Sequence, residues 1–307
     1  MSAPSRQPED PASQVLRVRR LVWANLVGNI LIIVTGVLVR VTGSGLGCPT
    51  WPTCVPGSVV PVAGQAQGFH KFIEFGNRML TPVLVVIAAA LYLTARSAYR
   101  STRPKFVRDC VVPLVFVLVQ GVVGGVIVLT HLDPATVSPH FLISIFLVAN
   151  ATYLLIRERE GDGPAQPTVP PLVATLAKVG TAVGTVVIIL GTAVTGSGPH
   201  SGDAAATVRY GFDPRATSWL HADSVMLFIG LLVALLVASR LVDAPKLFRT
   251  AWQWAAGISV AEGVLGYTQY FTGRPMGLVL IHVLLAALLT VAVTVGLVTT
   301  RRREPLS

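Results

Sequence analysis

Gln120-Gly121-Val122-Val123-Gly124 returns later in the chain as Glu262-Gly263-Val264-Leu265-Gly266, a displacement of 142 residues that also carries His140 onto His282. A second motif, Val41-Thr42-Gly43-Ser44-Gly45, returns as Val194-Thr195-Gly196-Ser197-Gly198. Both of its copies close an apolar run and open a polar one. Self-similarity at long spacing marks a chain assembled from two copies of one unit.

Outward from these motifs, eight apolar stretches can be marked, at about 21–40, 72–93, 110–130, 138–156, 174–195, 217–238, 250–271 and 277–299. The 307 residues are 52% hydrophobic and only 12% charged, where soluble domains carry about 25% charged residues. Mean hydropathy is +0.67. These features predict an all-α membrane protein of eight transmembrane helices, arranged as two parallel pseudo-symmetric four-helix bundles. Each unit crosses the membrane an even number of times, so both enter in the same direction. The first unit covers 21–156 and the second 174–299. The stretch 157–173, with Gly161, Gly163, Pro164, Pro167, Pro170 and Pro171, reads as the linker. Residues 1–20 and 300–307 are tails, with 1–16 and 300–307 expected to be disordered. The first apolar run is too long for the core of a cleaved signal, and no clear cleavage site follows it.

The net charge of +10 follows topology. Arg6, Arg17, Arg19 and Arg20 precede the first span, and Arg96, Arg100, Arg103, Lys105 and Arg108 lie between the second and third. Arg157, Arg159 and Lys178 lie between the fourth and fifth, Arg240, Lys246 and Arg249 between the sixth and seventh, and Arg301, Arg302 and Arg303 after the eighth. The remaining gaps and their helix ends hold only Arg40, Lys71, Arg78, Arg209, Arg215 and Arg274. The positive-inside rule then predicts a cell-membrane protein with both termini in the cytoplasm. No basic cluster is backed by a soluble fold, which excludes nucleic acid as a partner.

Four histidines, His70, His140, His221 and His282, fall at the outer starts of even-numbered spans. Ionisable groups at that depth are costly and mark function. His221 and His282 belong to one unit and can face each other. Opposed imidazoles make a six-coordinate haem suited to electron transfer; the alternative is two polar side chains bonded to carbonyls. In the first unit the mate of His140 should lie early in the second span, which reads Phe69-His70-Lys71-Phe72-Ile73-Glu74-Phe75-Gly76-Asn77-Arg78. His70 is predicted just outside that span, with Glu74 and Asn77 further in. A saturated site in one half and an unsaturated one in the other implies a division of labour, one haem carrying electrons while the other site reacts.

Glu74 is one of the few acids inside the spans. It reads either as a proton-exchanging carboxyl in an apolar site or as the i,i+4 partner of Arg78. Glu262, deeper in its span, reads as structural or as part of a proton path. Gly121, Gly124 and Gly125, with Gly263 and Gly266, allow close helix packing or make room for a flat macrocycle. His131 and His200 read as solvated loop residues. Trp51, Trp219, Tyr267, Tyr270 and Phe271 fit an outer aromatic belt. Cys48 and Cys54 share the first outer loop, where a disulfide is geometrically open to them, as are two unpaired thiols; a zinc site lacks two further ligands.

Gly36-Val37-Leu38-Val39-Arg40-Val41-Thr42-Gly43-Ser44-Gly45-Leu46-Gly47-Cys48-Pro49-x-Trp51-Pro52-x-Cys54 resembles the first-loop signature of the haem A synthase family. The likeness continues through Glu74-Phe75-Gly76-Asn77-Arg78, Gln120-Gly121-x-x-Gly124-Gly125, His140-Phe141, Thr195-Gly196-x-Gly198-Pro199-His200, His221 and His282. The resemblance implies an oxidoreductase that converts a ring methyl of haem O to a formyl group, giving haem A for terminal oxidases. It implies haem b as cofactor on His221 and His282. It also implies haem O as substrate, with His140 as its iron ligand, Glu74 as the catalytic acid, and Cys48 and Cys54 as an outer pair that assists redox events or fixes the loop. Many members carry a histidine three residues after the acid, where this chain has Asn77. Either His70 takes that role or His140 is the single protein ligand to the substrate iron. Expected partners are haem O, haem O synthase, a membrane electron donor and a second copy of the chain. Two other readings are a bis-histidine haem b protein acting on quinone and a two-repeat transporter.

Overall fold

A computed structural model describes residues 11–199, 202–204, 206 and 208–305. Its helices are α1 (Pro11–Val41), α2 (His70–Tyr99), α3 (Pro104–Asp109), α4 (Val111–Leu129), α5 (Pro134–Arg157), α6 (Pro171–Ser197), α7 (Pro214–Leu241), α8 (Lys246–Thr272) and α9 (Met276–Val298). The strands β1 (Gln166–Pro167) and β2 (Arg301–Arg302) form one antiparallel pair, with Gln166 opposite Arg302.

Eight of these helices are long, and each coincides with an expected span. Seven are long and apolar enough to cross a membrane, counting α3 and α4 as one stretch from Pro104 to Leu129. The exception is α8, whose 27 residues reach about 40 Å but include Lys246, Arg249, Gln253, Glu262 and Gln269. It packs on α7 and α9.

Helix starts are set by local chemistry. Asp133 accepts from the Ala135 amide at 2.8 Å and Asp213 from the Ala216 amide at 2.6 Å, and each is followed by proline. Such caps contribute about 1 kcal/mol each, and proline's fixed φ suits the first helical position. They fix where His140 and His221 fall, about 10 Å into their helices at 1.5 Å per residue. α8 ends on Gly273, whose φ of 77° is the left-handed geometry that glycine supplies without a Cβ clash.

Packing follows the same order in both halves. α1 packs on α2 as α6 does on α7, and α4 on α5 as α8 does on α9. Across the middle, α5 and α9 touch each other, α1 touches α9, and α6 touches α5. One buried cluster, centred on Trp252, Phe228, Phe248, Leu232 and Leu235, lies within the second half. Another, with Val18, Val22, Leu91, Phe106 and Leu154, lies within the first. Leu26, Ile33, Ile145 and Val148, with Ile188, Val283 and Val291 against them, join the two.

The tails depart from expectation. Residues 11–16 are helical, because α1 begins with Pro11 and runs unbroken into the apolar stretch. The segment after α9 is paired rather than free: Thr168 N donates to Thr300 O at 2.9 Å and Gly161 N to Glu304 O at 2.8 Å. Arg6 lies outside the described residues.

That end of the molecule holds a buried ionic knot. Arg157 contacts Glu160 at 3.2 Å and Asp162 at 2.6 Å, Arg19 reaches Glu158 at 2.9 Å, and Arg103 donates to the carbonyls of Arg157 and Glu158. Burial pushes the Arg103 guanidinium below its ordinary range. Breaking a buried pair from one side strands the other charge. Arg157→Ala is therefore expected to destabilise the detergent-solubilised protein by ~3–5 kcal/mol, read as a lowered thermal midpoint.

Candidate haem-binding site

At the end opposite the knot, α2, α5, α7 and α9 begin and the four histidines gather. His221 Nδ1 lies 3.1 Å from Val187 O on α6. A carbonyl only accepts, so Nδ1 carries the proton and Nε2 of the neutral ring keeps its lone pair. His282 Nδ1 lies 2.5 Å from Glu262 Oε2 on α8. His221 is therefore held from behind by a hydrogen bond and His282 backed by a close carboxyl contact, which directs each Nε2 to the opposite side. His221 also lies within electrostatic range of His282. Each ring faces a glycine: a Cβ on Gly191 would sit 3.4 Å from His221 Cε1, and one on Gly266 would sit 4.0 Å from His282 Cε1. Two oriented imidazoles with space beside them fit the donor set of a six-coordinate haem.

In the first half His140 faces Gly124, whose Cβ would lie 3.6 Å from its Cε1. Its Nδ1 is buried and has no hydrogen-bond partner among the described residues. Gln120, the repeat mate of Glu262, turns to His140 O at 2.9 Å and Ser144 Oγ at 2.5 Å. Asn77 on α2 faces Gly36 on α1, much as His221 faces Gly191, and Thr35 Oγ1 donates to its Oδ1 at 2.8 Å.

His70 is the first residue of α2, just ahead of the apolar stretch as expected. Its Nδ1 is 2.8 Å from Ser44 Oγ, its ring stacks on Phe69, and it stands about 10 Å along the helix from Asn77. Glu74 is buried beneath the first outer loop. Its Oε1 accepts from Arg78 Nη2 at 2.5 Å and its Oε2 from Cys48 N at 2.6 Å. Arg78 in turn donates to the Cys48 and Thr50 carbonyls. Cys48 and Cys54 form a disulfide with both residues fully buried, so the paired alternative holds. Lys71 Nζ donates to Val62 O at 2.5 Å, and Gln65 Nε2 to Gly47 O at 2.6 Å. The loop is thus stitched down onto α2.

The COX15-CtaA family model, described as cytochrome oxidase assembly protein, matches residues 19–294. The chain belongs to this family. It is 29% identical over 140 residues to the heme A synthase of Geobacillus thermodenitrificans, a match covering 46% of this chain and 42% of that protein. The chain thus spans under half the length of that relative. Similarity to the heme A synthase of Bacillus licheniformis is lower, 22% over 273 residues, but covers 83% of this chain and 87% of that one. A protoheme IX farnesyltransferase of Thermus thermophilus is 32% identical over 142 residues, 45% of this chain and 22% of that protein.

Within this COX15-CtaA chain, His221 lies within electrostatic range of His282, His140 lies against Gly124, and His70 bonds Ser44 of the loop. His131 is exposed, as expected of a loop residue, and His200 lies outside the described residues. Trp219, Tyr267, Tyr270 and Phe271 are exposed, as an aromatic belt requires. Trp51 is exposed as well, while its indole also lies against α4 where Gly125 would carry a Cβ. The roles of Val187 O and Gly191 escaped the sequence reading. Gly191 lies outside both repeated motifs, and a backbone carbonyl has no sequence signature.

Proposed function

We propose that the chain is a haem A synthase, oxidising the ring methyl of haem O to a formyl group. The observation that carries this reading is the asymmetry of the imidazoles. Two on α7 and α9 are oriented through Nδ1, while the one on α5 stands without an imidazole partner. The family match over 19–294 and the relatives named heme A synthase support it.

On this reading the chain is two four-helix units, 21–156 and 174–299, related by a pseudo-two-fold axis, with both termini cytoplasmic. The like order of packing in the halves supports that division. His221 and His282 hold haem b, which supplies one-electron transfer. His140 binds the iron of haem O, and Asn77 leaves the opposite side open, since an amide is a poor iron ligand. His70 keeps to the loop. The apolar outer faces of α2 and α4, with Val83, Val86, Leu118 and Val122 exposed, suit the farnesyl tail of the substrate. Cys48 and Cys54 keep the first outer loop closed over the site. Haem O synthase delivers the substrate, and a membrane donor exchanges electrons with the second unit.

Glu74 holds two positions in this scheme. Through Oε1 it anchors Arg78, and through Oε2 it receives the Cys48 amide, so its carboxyl stands at the junction of loop and substrate helix. From there it is placed to accept protons given up at the reacting methyl. Glu74→Gln keeps the shape but not the charge. It is expected to lower haem A formation by ~10²–10⁴-fold, the usual contribution of a general base, with the disulfide intact by thiol titration.

The deciding experiment expresses the chain in a host that makes haem O and separates the extracted pigments. A haem A peak that depends on this chain is expected. Unaltered haem O together with quinone-linked haem reduction would replace the synthase reading with that of an electron carrier.

A further inference from the structure

Glu262 stands out on α8. Its carboxylate is nearly buried, with 11% of the side chain exposed, inside a helix otherwise apolar from Ala255 to Leu265 apart from Ser259. A carboxylate in such a place is costly and is kept for a specific partner. Its Oε2 lies 2.5 Å from His282 Nδ1, a close ion-pair contact, and neither atom makes a hydrogen bond to any other group among the described residues. One turn on, Gly266 faces the same ring. Two residues four apart on one face of α8 thus treat one imidazole, the first holding it and the second making room beside it.

The other two imidazoles are handled differently. His221 donates to the neutral carbonyl of Val187. His140 has no Nδ1 partner among the described residues, and Gln120, at the repeat position of Glu262, turns to a backbone carbonyl and Ser144. The repeat has therefore placed a charged acceptor behind only one of the three.

We propose that Glu262 is a positioning residue for His282, bonding its Nδ1 proton so that Nε2 becomes the stronger electron donor of the two axial imidazoles and lowers the reduction potential of the second-unit haem. The inference rests on the reading that His221 and His282 bind haem. A carboxylate behind a ligating histidine fixes the ring and raises its basicity. A more basic axial ligand stabilises the ferric state, and hydrogen bonding around the ligand is an established lever on haem potential. The first-unit site, with an amide at the corresponding position, lacks that device, so the two sites differ in potential by construction.

The test uses the purified full-length holoprotein, with Glu262→Gln and Glu262→Asp beside the unmodified chain. Haem content and the midpoint potential of the low-spin haem are measured by spectroelectrochemistry. The Gln variant is expected to keep its haem with the midpoint moved to a more positive value. If Gln empties the site, Asp, which retains the charge, is expected to keep it filled. A Gln variant with full haem and an unmoved midpoint overturns the proposal, and so does loss of haem in both variants, which marks a purely structural acid. Failure of the underlying reading has a separate signature: His221→Ala and His282→Ala each retaining the complete low-spin spectrum.

Discussion

A His140→Ala chain supplied with haem O is expected to make no measurable haem A while keeping the low-spin absorbance of its second-unit haem. His140 is the one imidazole in the first half that is neither committed to the loop nor exposed, and Gly124 leaves room at its edge. Its Nδ1 is buried without a partner among the described residues. Removing a mere outer support of a metal ligand costs about 10–100-fold in affinity or activity, so removing the ligand itself is expected to exceed about 100-fold. Asn77 cannot take over, because it is an amide engaged by Thr35. Nor can His70, at the loop end of the helix. Pigment extraction and a Soret spectrum of the same sample read both halves at once. Wild-type yield of haem A from this variant defeats the assignment of the substrate site.

The second large effect belongs to His282. On the proposed reading its replacement by alanine removes one of two ligands, and it leaves the Glu262 carboxyl without its neighbour in a nearly buried position. An unpaired buried charge is strongly unfavourable, so local repacking follows together with haem loss. The low-spin signal is expected to vanish and haem content to fall, whereas His70→Ala should leave that spectrum intact. His221→Ala is expected to match His282→Ala in spectrum, because both ligands are needed for six-coordination. Persistence of a six-coordinate spectrum in either variant excludes these residues as the pair.

Much of this arrangement was legible from residues alone. The displacement that maps His140 onto His282 also maps Gly124 onto Gly266, and the structure sets both glycines against the mapped rings. Apolar periodicity located all eight long helices, because lipid demands continuous backbone pairing and long apolar runs announce it. Two kinds of information stayed hidden. Helix ends ran further than the apolar runs, since polar turns such as Pro11–Leu16 continue a helix without adding hydropathy. Contacts between distant segments had no local trace: the Glu74 bond to the Cys48 amide and the pairing of Gln166 with Arg302 arise only after folding. Glu74 shows the difference well. Its spacing to Arg78 foretold the ion pair, yet nothing in that spacing foretold that the pair would clamp a disulfide loop.

The seam between Gln166–Pro167 and Arg301–Arg302 bears on how the polypeptide is made. A ribosome reaches the second strand only after the whole of α9, and at 5–20 residues per second that delay is on the order of ten seconds. Until then the Gly161 and Thr168 amides lack the Glu304 and Thr300 carbonyls, and Glu160 lacks Arg303. The seam can therefore close only after α9 has been made, and a chain cut before Arg301 would leave Gln166 and Pro167 without their strand partner.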